Sequence, residues 1–195
     1  MPKAHLFPMA LRPLAFLGLL FALFGFGCTG APSRDEARVL DAKADAAVAR
    51  LRADLRGADE LLRSAAGVLV FPDVVEGAFW GGAQYGEGVL RIRGRSADYY
   101  QIIAASFGLQ FGAQKKDILL LFMNNQALED FRNSAGWRVG VDGTVTLVTV
   151  GAEGSVSTDT YNRPILAFVL DQRGLMAGVS LEGSKITRLE TEGRE

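Results

Sequence analysis

The 195-residue sequence contains one cysteine and one histidine, and this scarcity limits the chemistry it can perform. The histidine, His5, lies in an N-terminal apolar segment, and the cysteine is Cys28. Without a histidine elsewhere, the chain cannot assemble the Ser-His-Asp or Cys-His arrangements that activate most hydrolase nucleophiles. Zinc is bound mainly by histidine and cysteine, so a zinc site is not expected either. We therefore expect a non-catalytic protein with no metal and no cofactor.

An excess of positive charge is also missing. The formal net charge of the whole chain is −1 at pH 7. Nucleic-acid-binding domains normally show a strong basic excess, so we expect no nucleic acid partner. Internal repeats and low-complexity segments are absent as well, and the length after residue 27 suits one domain with a core of its own.

The first 27 residues have the layout of a signal peptide. Lys3 and Arg12 precede an apolar run over 14–26, which is shorter than the roughly 20 residues that span a bilayer. The run ends in Gly25-Phe26-Gly27-Cys28, which resembles the bacterial lipobox, although Gly25 stands where leucine is usual. The alternative is an ordinary signal cleavage site beside a small residue.

The lipobox resemblance implies that residues 1–27 are removed and that Cys28 is acylated, for example with palmitate. Residues 28–34 then form a lipidated tether, and residues 35–195 form the domain. Two or more acyl chains make a stable membrane anchor, whereas one chain binds only marginally. Thr29 after the cysteine resembles lipoproteins that are sorted onward, so the expected location is the periplasmic face of the outer membrane.

From Asp35 to Ala65, apolar residues recur at steps of three and four, which predicts an amphipathic helix. The stripe contains Leu40, Ala44, Ala47, Val48, Leu51, Leu55, Ala58 and Leu62. Gly57 is expected to bend or weaken this helix. Acidic and basic residues are balanced on its other face, which favours packing on the domain's own core over lying on a membrane.

The remainder reads mainly as short strands, so the predicted fold class is α+β. We expect a mostly antiparallel curled sheet or barrel-like core, an N-terminal helix and one further short helix over 124–134. The predicted strands are 68–71 stopped by Pro72, 79–85 and 87–93 flanking a turn at Gly86, 99–114, 118–123, a hairpin around 171–174, and 186–189. Within 99–114 we expect Ile103 and Ala105 to share the apolar face, with Ser106 and Gly108 opposite.

Several blocks resemble the SYLF domain family, in that family's usual order from about Ala66 to Leu189. They include Leu69-Val70-Phe71-Pro72, Gly82-Ala83-Gln84-Tyr85-Gly86, Tyr99-Tyr100, Ser106-Phe107-Gly108-Leu109, Gly136-Trp137 and Leu181-Glu182-Gly183-Ser184-Lys185. One departure is Glu76, where related sequences often carry a lysine before the glycine. The resemblance implies a lipid-binding domain without known catalysis. Eukaryotic members bind phosphoinositides and some bind actin, whereas bacterial members are often exported lipoproteins.

The partner implied by this resemblance is membrane phospholipid. Actin binding is a eukaryotic role that we do not transfer to an exported protein. Two alternatives stay open: a structural module that docks onto an envelope protein partner, and an enzyme that uses carboxylates alone. The second requires a cleft with a strongly perturbed Asp or Glu.

Basic residues supply the candidate headgroup site. Arg91, Arg93 and Arg95 alternate along a predicted strand, so they share one face and could hold lipid phosphates by charge-assisted hydrogen bonds. The alternative is an edge strand that charge keeps soluble. Further candidates are Lys115, Lys116, Lys185 and Arg188.

A candidate acyl-chain pocket lies along the small-residue face of 99–114. Its candidate residues are Phe79, Trp80, Tyr85, Ser106 and Gly108. The alternative is that this stripe is only a place where another element packs closely.

Overall fold

The computed structural model describes residues 30–78, 82–106, 112–148, 162–171, 174–175 and 180–190. The helices in these ranges are α1 (Arg34–Asp54), α2 (Ala58–Ser64) and α3 (Asn125–Asn133). The strands are β1 (Gly67–Ala78), β2 (Gly82–Ile92), β3 (Arg95–Ser106), β4 (Gly112–Phe122), β5 (Trp137–Arg138), β6 (Thr146–Leu147), β7 (Ile165–Asp171), β8 (Gly174–Leu175) and β9 (Lys185–Arg188). This composition confirms the predicted α+β class.

The strands form one curled sheet in the order β5-β9-β3-β2-β1-β4-β7-β6, with β8 paired to β7. The β6–β7 pair is parallel and the other pairs are antiparallel. The inner face carries Phe71, Ile102 and Leu120 and packs against α3. The outer face carries Val70 and Leu119 and packs against α1 and α2. Apolar residues therefore cover both faces of the central strands.

The N-terminal helical segment is two helices rather than one. Ser33 and Glu36 form a capping box at the start of α1, with Glu36 accepting from the Ser33 amide at 2.8 Å. Leu55, in an extended conformation, ends the first helix, and Gly57, in the left-handed conformation with φ 83°, starts α2. The weak point predicted at Gly57 is thus a break, because a left-handed residue interrupts the helical hydrogen-bond ladder.

Pro72 does not end the first strand, which corrects the sequence prediction. β1 continues to Ala78, and its pairing register shifts between Val70 and Val75 against β2 and between Phe71 and Val74 against β4. A bulge leaves residues without a ladder partner, which is how a strand interior can contain a proline that has no amide proton. Asp73, beside it, has φ 53° and donates its amide to Asp117 Oδ1 at 3.0 Å.

The hairpin predicted at Gly86 is also wrong. β2 runs through Gly86, and the turn to β3 consists of Arg93 and Gly94, with φ 51° and 75°. Positive φ at both central residues is the geometry of a two-residue type I′ hairpin, whose twist matches that of the flanking strands. Gly86 is instead required by packing, because a Cβ on it would lie 2.7 Å from Val74 Cγ2.

The single strand predicted over 99–114 is two strands, β3 and β4. Its faces are opposite to the prediction at the described positions. Tyr100 and Ile102 point to the inner core, whereas Ile103 is 48% exposed and Ala105 is exposed. Apolar residues occur at both odd-numbered and even-numbered positions here, so the alternation could not identify the buried face.

Other elements match their predictions. β4 contains the buried run Ile118–Phe122, between β1 and β7. Asn124 caps α3, which directs Leu128 and Phe131 into the core. β7 and β8 form the predicted hairpin, and β9 falls within one residue of the predicted last strand.

The N-terminal segment joins the far end of the chain. Gly30 forms an isolated parallel bridge with Glu190, and the Ala31 amide donates to the Glu190 carbonyl at 2.7 Å. The segment predicted as a tether is therefore bound to the domain by residue 30. Among the described residues, no helix has the length and apolar character needed to cross a bilayer.

Candidate functional site

An exposed apolar row crosses the outer face of the sheet. Val75 of β1 pairs with Tyr85 of β2, and Tyr85 pairs with Ile103 of β3. These three side chains are 42%, 47% and 48% exposed. They come from distant parts of the sequence and become neighbours only through strand register. We call Val75, Tyr85 and Ile103 the apolar row.

A lysine lies at each end of the apolar row. Lys115 of β4 pairs with Val75, and Lys185 of β9 pairs with Ile103. Both lysines are exposed. The five residues therefore run across five adjacent strands in the order cation, three apolar residues, cation.

Small residues extend the apolar surface on the side away from the helices. Ala83 pairs with Gly77 on one side and with Ala105 on the other. Ala83 and Ala105 are exposed. Strand residues two apart share a face, so this second row lies beside the apolar row. The helices α1 and α2 cover only the other part of the outer face, around Val70 and Val89.

Tyr85 has one polar contact on this surface. Its hydroxyl donates to Glu87 Oε1 at 2.8 Å. Burial, followed by this bond and the negative charge of Glu87, raises the pKa of Tyr85 to about 12. The ring is thus a neutral, amphipathic group at physiological pH, with an apolar body and a polar tip.

The opposite, inner face carries a buried polar cluster at the same end of the sheet. Lys116 is 4% exposed, and its Nζ lies 2.7 Å from Glu76 Oε2. Gln114 Nε2 donates to the same oxygen at 3.1 Å. The bond from Lys116, which outweighs burial, lowers the pKa of Glu76. Beside Glu76, the Gln84 amide nitrogen is buried and has no hydrogen-bond partner in the described part of the chain.

A second ionic cluster fixes α1 to the β1 bulge. Arg50 pairs with Asp117, and Lys43 Nζ lies 2.9 Å from Asp73 Oδ2. The Lys43 bond lowers the pKa of Asp73. Burial raises the pKa of Asp117 despite the Arg50 charge and the amide bond from Asp73. Arg50, Asp73 and Asp117, together with Lys115, line a small cavity of about 70 Å³.

The predicted arginine row does not exist. Arg91 lies under α1, where it pairs with Asp45 and donates to the Asp41 carbonyl at 2.9 Å. Arg93 occupies the hairpin turn, and Arg95 begins the next strand. The prediction that the three share one strand face is wrong, because the strand ends at residue 92.

The remaining predicted headgroup residues separate into three places. Lys115 and Lys185 end the apolar row, and Lys116 is enclosed on the inner face. Arg188 pairs with the buried Asp98, which also binds Arg132 at 3.2 Å. Tyr100 lies next to this group, and its buried hydroxyl is beside Arg132.

Of the predicted acyl-pocket residues, Tyr85 is on the exposed outer face. Phe79, Trp80 and Gly108 lie outside the described residues, as do Cys28 and the predicted signal. Only the backbone of Ser106 is described, and it pairs with Gly82. No cluster of three or more His, Cys, Asp or Glu residues suited to a metal ion occurs in the described ranges.

Sequence reasoning named Tyr85, Lys115 and Lys185 but missed Val75 and Ile103 as surface residues. It also missed Arg132, which pairs with Asp98 across the edge of the sheet. No sequence signal would have found Val75, because alternation places a polar Glu76 outward and therefore places Val75 inward.

Together the fold and this surface define an α+β binding module built on a curled sheet. The family described as Ysc84, Las17-binding protein actin regulator, matches residues 103–194. This match confirms the resemblance to the SYLF domain family over residues 103–194. No curated protein matches the chain.

Proposed function

We propose that the domain binds the surface of a phospholipid membrane through the apolar row and its two flanking lysines. One observation carries this proposal: three exposed apolar side chains form a continuous line across the sheet with a cation at each end. The matched family supports a binding role, since its description names it a binding protein and actin regulator.

The order of residue types in the row fits a membrane interface. Contiguous exposed apolar surface on a soluble domain marks an interaction site. Valine, isoleucine and the tyrosine ring enter the boundary between headgroups and acyl chains, where amphipathic aromatic residues are favoured. Lysines near the surface of an anionic membrane each contribute about 1 kcal/mol of attraction. The lysines lie at the ends, where they can reach phosphates while the centre inserts.

Flotation with vesicles of varied headgroup tests the proposal. The chain starting at Thr29, shown to be folded by circular dichroism, is mixed with vesicles of phosphatidylethanolamine containing a graded fraction of phosphatidylglycerol. Ile103→Ser and Tyr85→Ser should each weaken binding about tenfold, the order of magnitude expected when one apolar side chain no longer enters the membrane. Val39→Ser and Val141→Ser are matched controls, because both valines are exposed but lie outside the row.

The charged ends are tested separately. Lys115→Gln combined with Lys185→Gln should remove most of the dependence on phosphatidylglycerol and on salt. Arg93→Gln with Arg95→Gln removes the same charge from exposed positions outside the row and serves as the control. If wild-type protein ignores vesicles of every composition while one envelope protein co-purifies with it, the docking alternative replaces the lipid proposal.

We further propose that Cys28 is acylated and that the chain is held at the bacterial envelope. The support is the lipobox resemblance of Gly25-Phe26-Gly27-Cys28. Mass spectrometry of the protein from membranes should show an N-terminal Cys28 carrying acyl groups, and Cys28→Ser should abolish them. Cleavage at another position, without acylation, would contradict this part of the proposal.

A further inference from the structure

A pair of cations lies at the sheet edge next to the apolar row. Arg138 of β5 pairs with Lys185 of β9, and Lys185 pairs in turn with Ile103 of the row. Both cations are exposed, and 58% of the Arg138 side chain is accessible to solvent. The row therefore ends on β9 and β5 in two neighbouring positive charges. We call Arg138 and Lys185 the cation pair.

Two like charges in this arrangement repel each other. Residues directly opposite on antiparallel strands have Cβ atoms roughly 4.5–5.5 Å apart, and like charges at such positions are destabilising. Lys116, in contrast, has its Nζ 2.7 Å from Glu76 Oε2. Lys185 forms no ion pair within the part of the chain that the structure describes. An anion between Lys185 and Arg138 would remove the repulsion, because each cation would then donate to an ionised acceptor.

Asp142 compensates only part of this charge. Its Oδ2 accepts from the Arg138 backbone amide at 2.7 Å and lies 3.8 Å from the Arg138 Nε. The second distance is longer than the roughly 2.7–2.9 Å of a charge-assisted hydrogen bond. The position of Asp142 is therefore set by the backbone bond, and a guanidinium with five N–H donors can bind a further anion.

Glu182 is a second carboxylate near this edge, and the Lys185 side chain extends away from it. A Cβ on Gly140 would lie 3.6 Å from Glu182 Cγ, whereas a Cβ on Gly136 would lie 2.9 Å from Lys185 Cε. Gly136 precedes Arg138 in the chain and Gly140 follows it. Glu182 and the Lys185 stem are therefore on opposite sides of the β5 arginine.

The two nearby carboxylates restrict the charge of the ligand. Asp142 and Glu182 would repel a ligand with several negative charges, whereas a phosphodiester has one charge that the cation pair can hold. Other charged side chains around this edge belong to separate groups: Arg132 and Arg188 bind Asp98, and Glu87 accepts from Tyr85. The cation pair therefore fits a phosphodiester better than a polyanion.

The other end of the row differs, because Lys115 has carboxylates beside it. The charged residues that line the small cavity at this end are Arg50, Asp73, Lys115, Lys116, Asp117 and Asp171. Lys43, and to a smaller extent Lys115, lower the pKa of Asp73. The charge of Lys115 thus already acts on a carboxylate of the protein, whereas Lys185 has no such partner in the described ranges.

We propose that the cation pair binds the phosphodiester of an anionic phospholipid headgroup and is the end of the apolar row that selects headgroups. The planar guanidinium of Arg138 binds two oxygens of one phosphate, and the Lys185 ammonium binds the same group as a point charge. The inference rests on the proposed function, because the membrane that the row contacts brings the headgroup to this edge.

A soluble headgroup tests the cation pair without a membrane. The full chain, in a phosphate-free non-ionic detergent, is titrated with glycerophosphoglycerol and with inorganic phosphate, and binding is followed by the phosphorus NMR line width of the ligand. Glycerophosphoglycerol should bind saturably and at least as tightly as inorganic phosphate. Tighter binding of inorganic phosphate would overturn the headgroup assignment in favour of free phosphate. Absence of saturable binding would overturn the site.

Variants locate the binding. Arg138→Gln and Lys185→Gln should each weaken glycerophosphoglycerol about fivefold, which corresponds to about 1 kcal/mol. Arg93→Gln removes the same charge from an exposed turn and should have no effect. Glu182→Gln, which removes a repelling carboxylate, should not weaken binding. A loss in Lys115→Gln as large as in Lys185→Gln would refute selection at this end, and unchanged binding in Lys185→Gln would refute the pair even if Arg138→Gln proves unstable.

The outcome is separable from that of the vesicle experiment. Vesicle binding that depends on the apolar row, without any binding of glycerophosphoglycerol, refutes the cation pair and keeps the proposed function. Binding of glycerophosphoglycerol by a protein that ignores vesicles keeps the cation pair as a phosphodiester site and refutes the surface proposal. If both bind, Arg138→Gln should also reduce the dependence of vesicle binding on phosphatidylglycerol, and an unchanged dependence would refute the role of Arg138 at the membrane.

Discussion

Gly88 of β2 lies directly against Phe71 of β1, and no larger residue fits between them. A Cβ built on Gly88 would lie 2.6 Å from the Val70 carbonyl oxygen. It would also overlap the ring of Phe71. The obstruction includes backbone, so rotation of a side chain cannot relieve it. The close approach of β1 and β2 at the centre of the sheet therefore depends on this glycine.

Gly88→Ala should lower the free energy of unfolding by about 1–3 kcal/mol, the usual cost of overpacking a core. Urea denaturation followed by circular dichroism measures the change. Gly77→Ala is the matched control, because that glycine lies on β1 with nothing within 4 Å of its Cβ position. We expect it to be neutral or slightly stabilising. Equal losses in both variants would contradict the packing explanation.

Removal of the negative partner of Lys116 should be costly. Glu76→Gln leaves an ammonium group that is 4% exposed without a counter-charge. Breaking one side of a buried ion pair typically costs about 3–5 kcal/mol, whereas apolar replacement of both partners is often neutral. The double variant Glu76→Leu/Lys116→Met should therefore recover most of the stability that Glu76→Gln loses in urea denaturation. A double variant as unstable as the single one would show that the pair has another structural role.

Arg91 should matter for stability and Arg93 should not. Arg91 is 16% exposed and pairs with Asp45, which is 68% exposed, so solvent screens the interaction. We expect Arg91→Gln to cost about 1 kcal/mol in urea denaturation. Arg93→Gln, in an exposed turn, should change stability by less than about 0.5 kcal/mol. If Arg93→Gln with Arg95→Gln abolishes vesicle binding, the turn arginines, and not the row lysines, contact lipid.

Stability should fall on acidification. Lys116 lowers the pKa of Glu76 from 4.5, and Lys43 lowers that of Asp73 from 3.8. Such carboxylates bind fewer protons in the folded state than in the unfolded one. Their contribution is present above the unfolded pKa and is lost as the pH falls through the lower folded pKa. Unfolding free energies measured in urea should therefore decline below about pH 4.5, the unfolded value for Glu76.

Asp117 opposes this trend, because burial raises its pKa. Its protonation begins above the unfolded pKa of 3.8 and favours the folded chain as the pH falls from the folded pKa to the unfolded pKa.

The variant Glu76→Leu/Lys116→Met, which lacks the Glu76 contribution, should show a shallower decline of unfolding free energy with acidification than wild type. A decline of equal slope would exclude Glu76 as a source.

Local patterns predicted the elements that depend on local rules. The helical periodicity of Leu40, Ala44 and Leu51 and the break at Gly57 follow from side-chain spacing and glycine freedom. The buried strand β4 follows from an unbroken apolar run. In contrast, Arg93 gave no turn signal, since an arginine seldom adopts positive φ. The position of Pro72 inside β1 could not be predicted either, because the bulge that accommodates it depends on how β1 pairs with β2 and β4.

The candidate site was predictable only in part. Lys115, Lys185 and Tyr85 were named from residue type, but their alignment depends on register between β4, β1, β2, β3 and β9. Ile103 was assigned to the buried face. Tyr100 and Ile102, which point to the opposite face, are also apolar, and the sequence does not show that they are the buried ones. Charged residues were harder still. Arg91 and Lys116 looked available in the sequence, yet their acidic partners, Asp45 and Glu76, neutralise them within the fold.

The bridge between Gly30 and Glu190 limits the distance between the domain and the lipid anchor that an acylated Cys28 would provide. Only Thr29 lies between the cysteine and Gly30, the first point fixed to the sheet, so the chain spans two residue steps of at most about 3.5 Å each. Gly30 would therefore lie within about 7 Å of the acylated cysteine, and this short distance would restrict rotation of the domain relative to the membrane. A flexible Gly-Ser insertion in this segment would let the domain, otherwise held in one orientation, reorient freely relative to the bilayer.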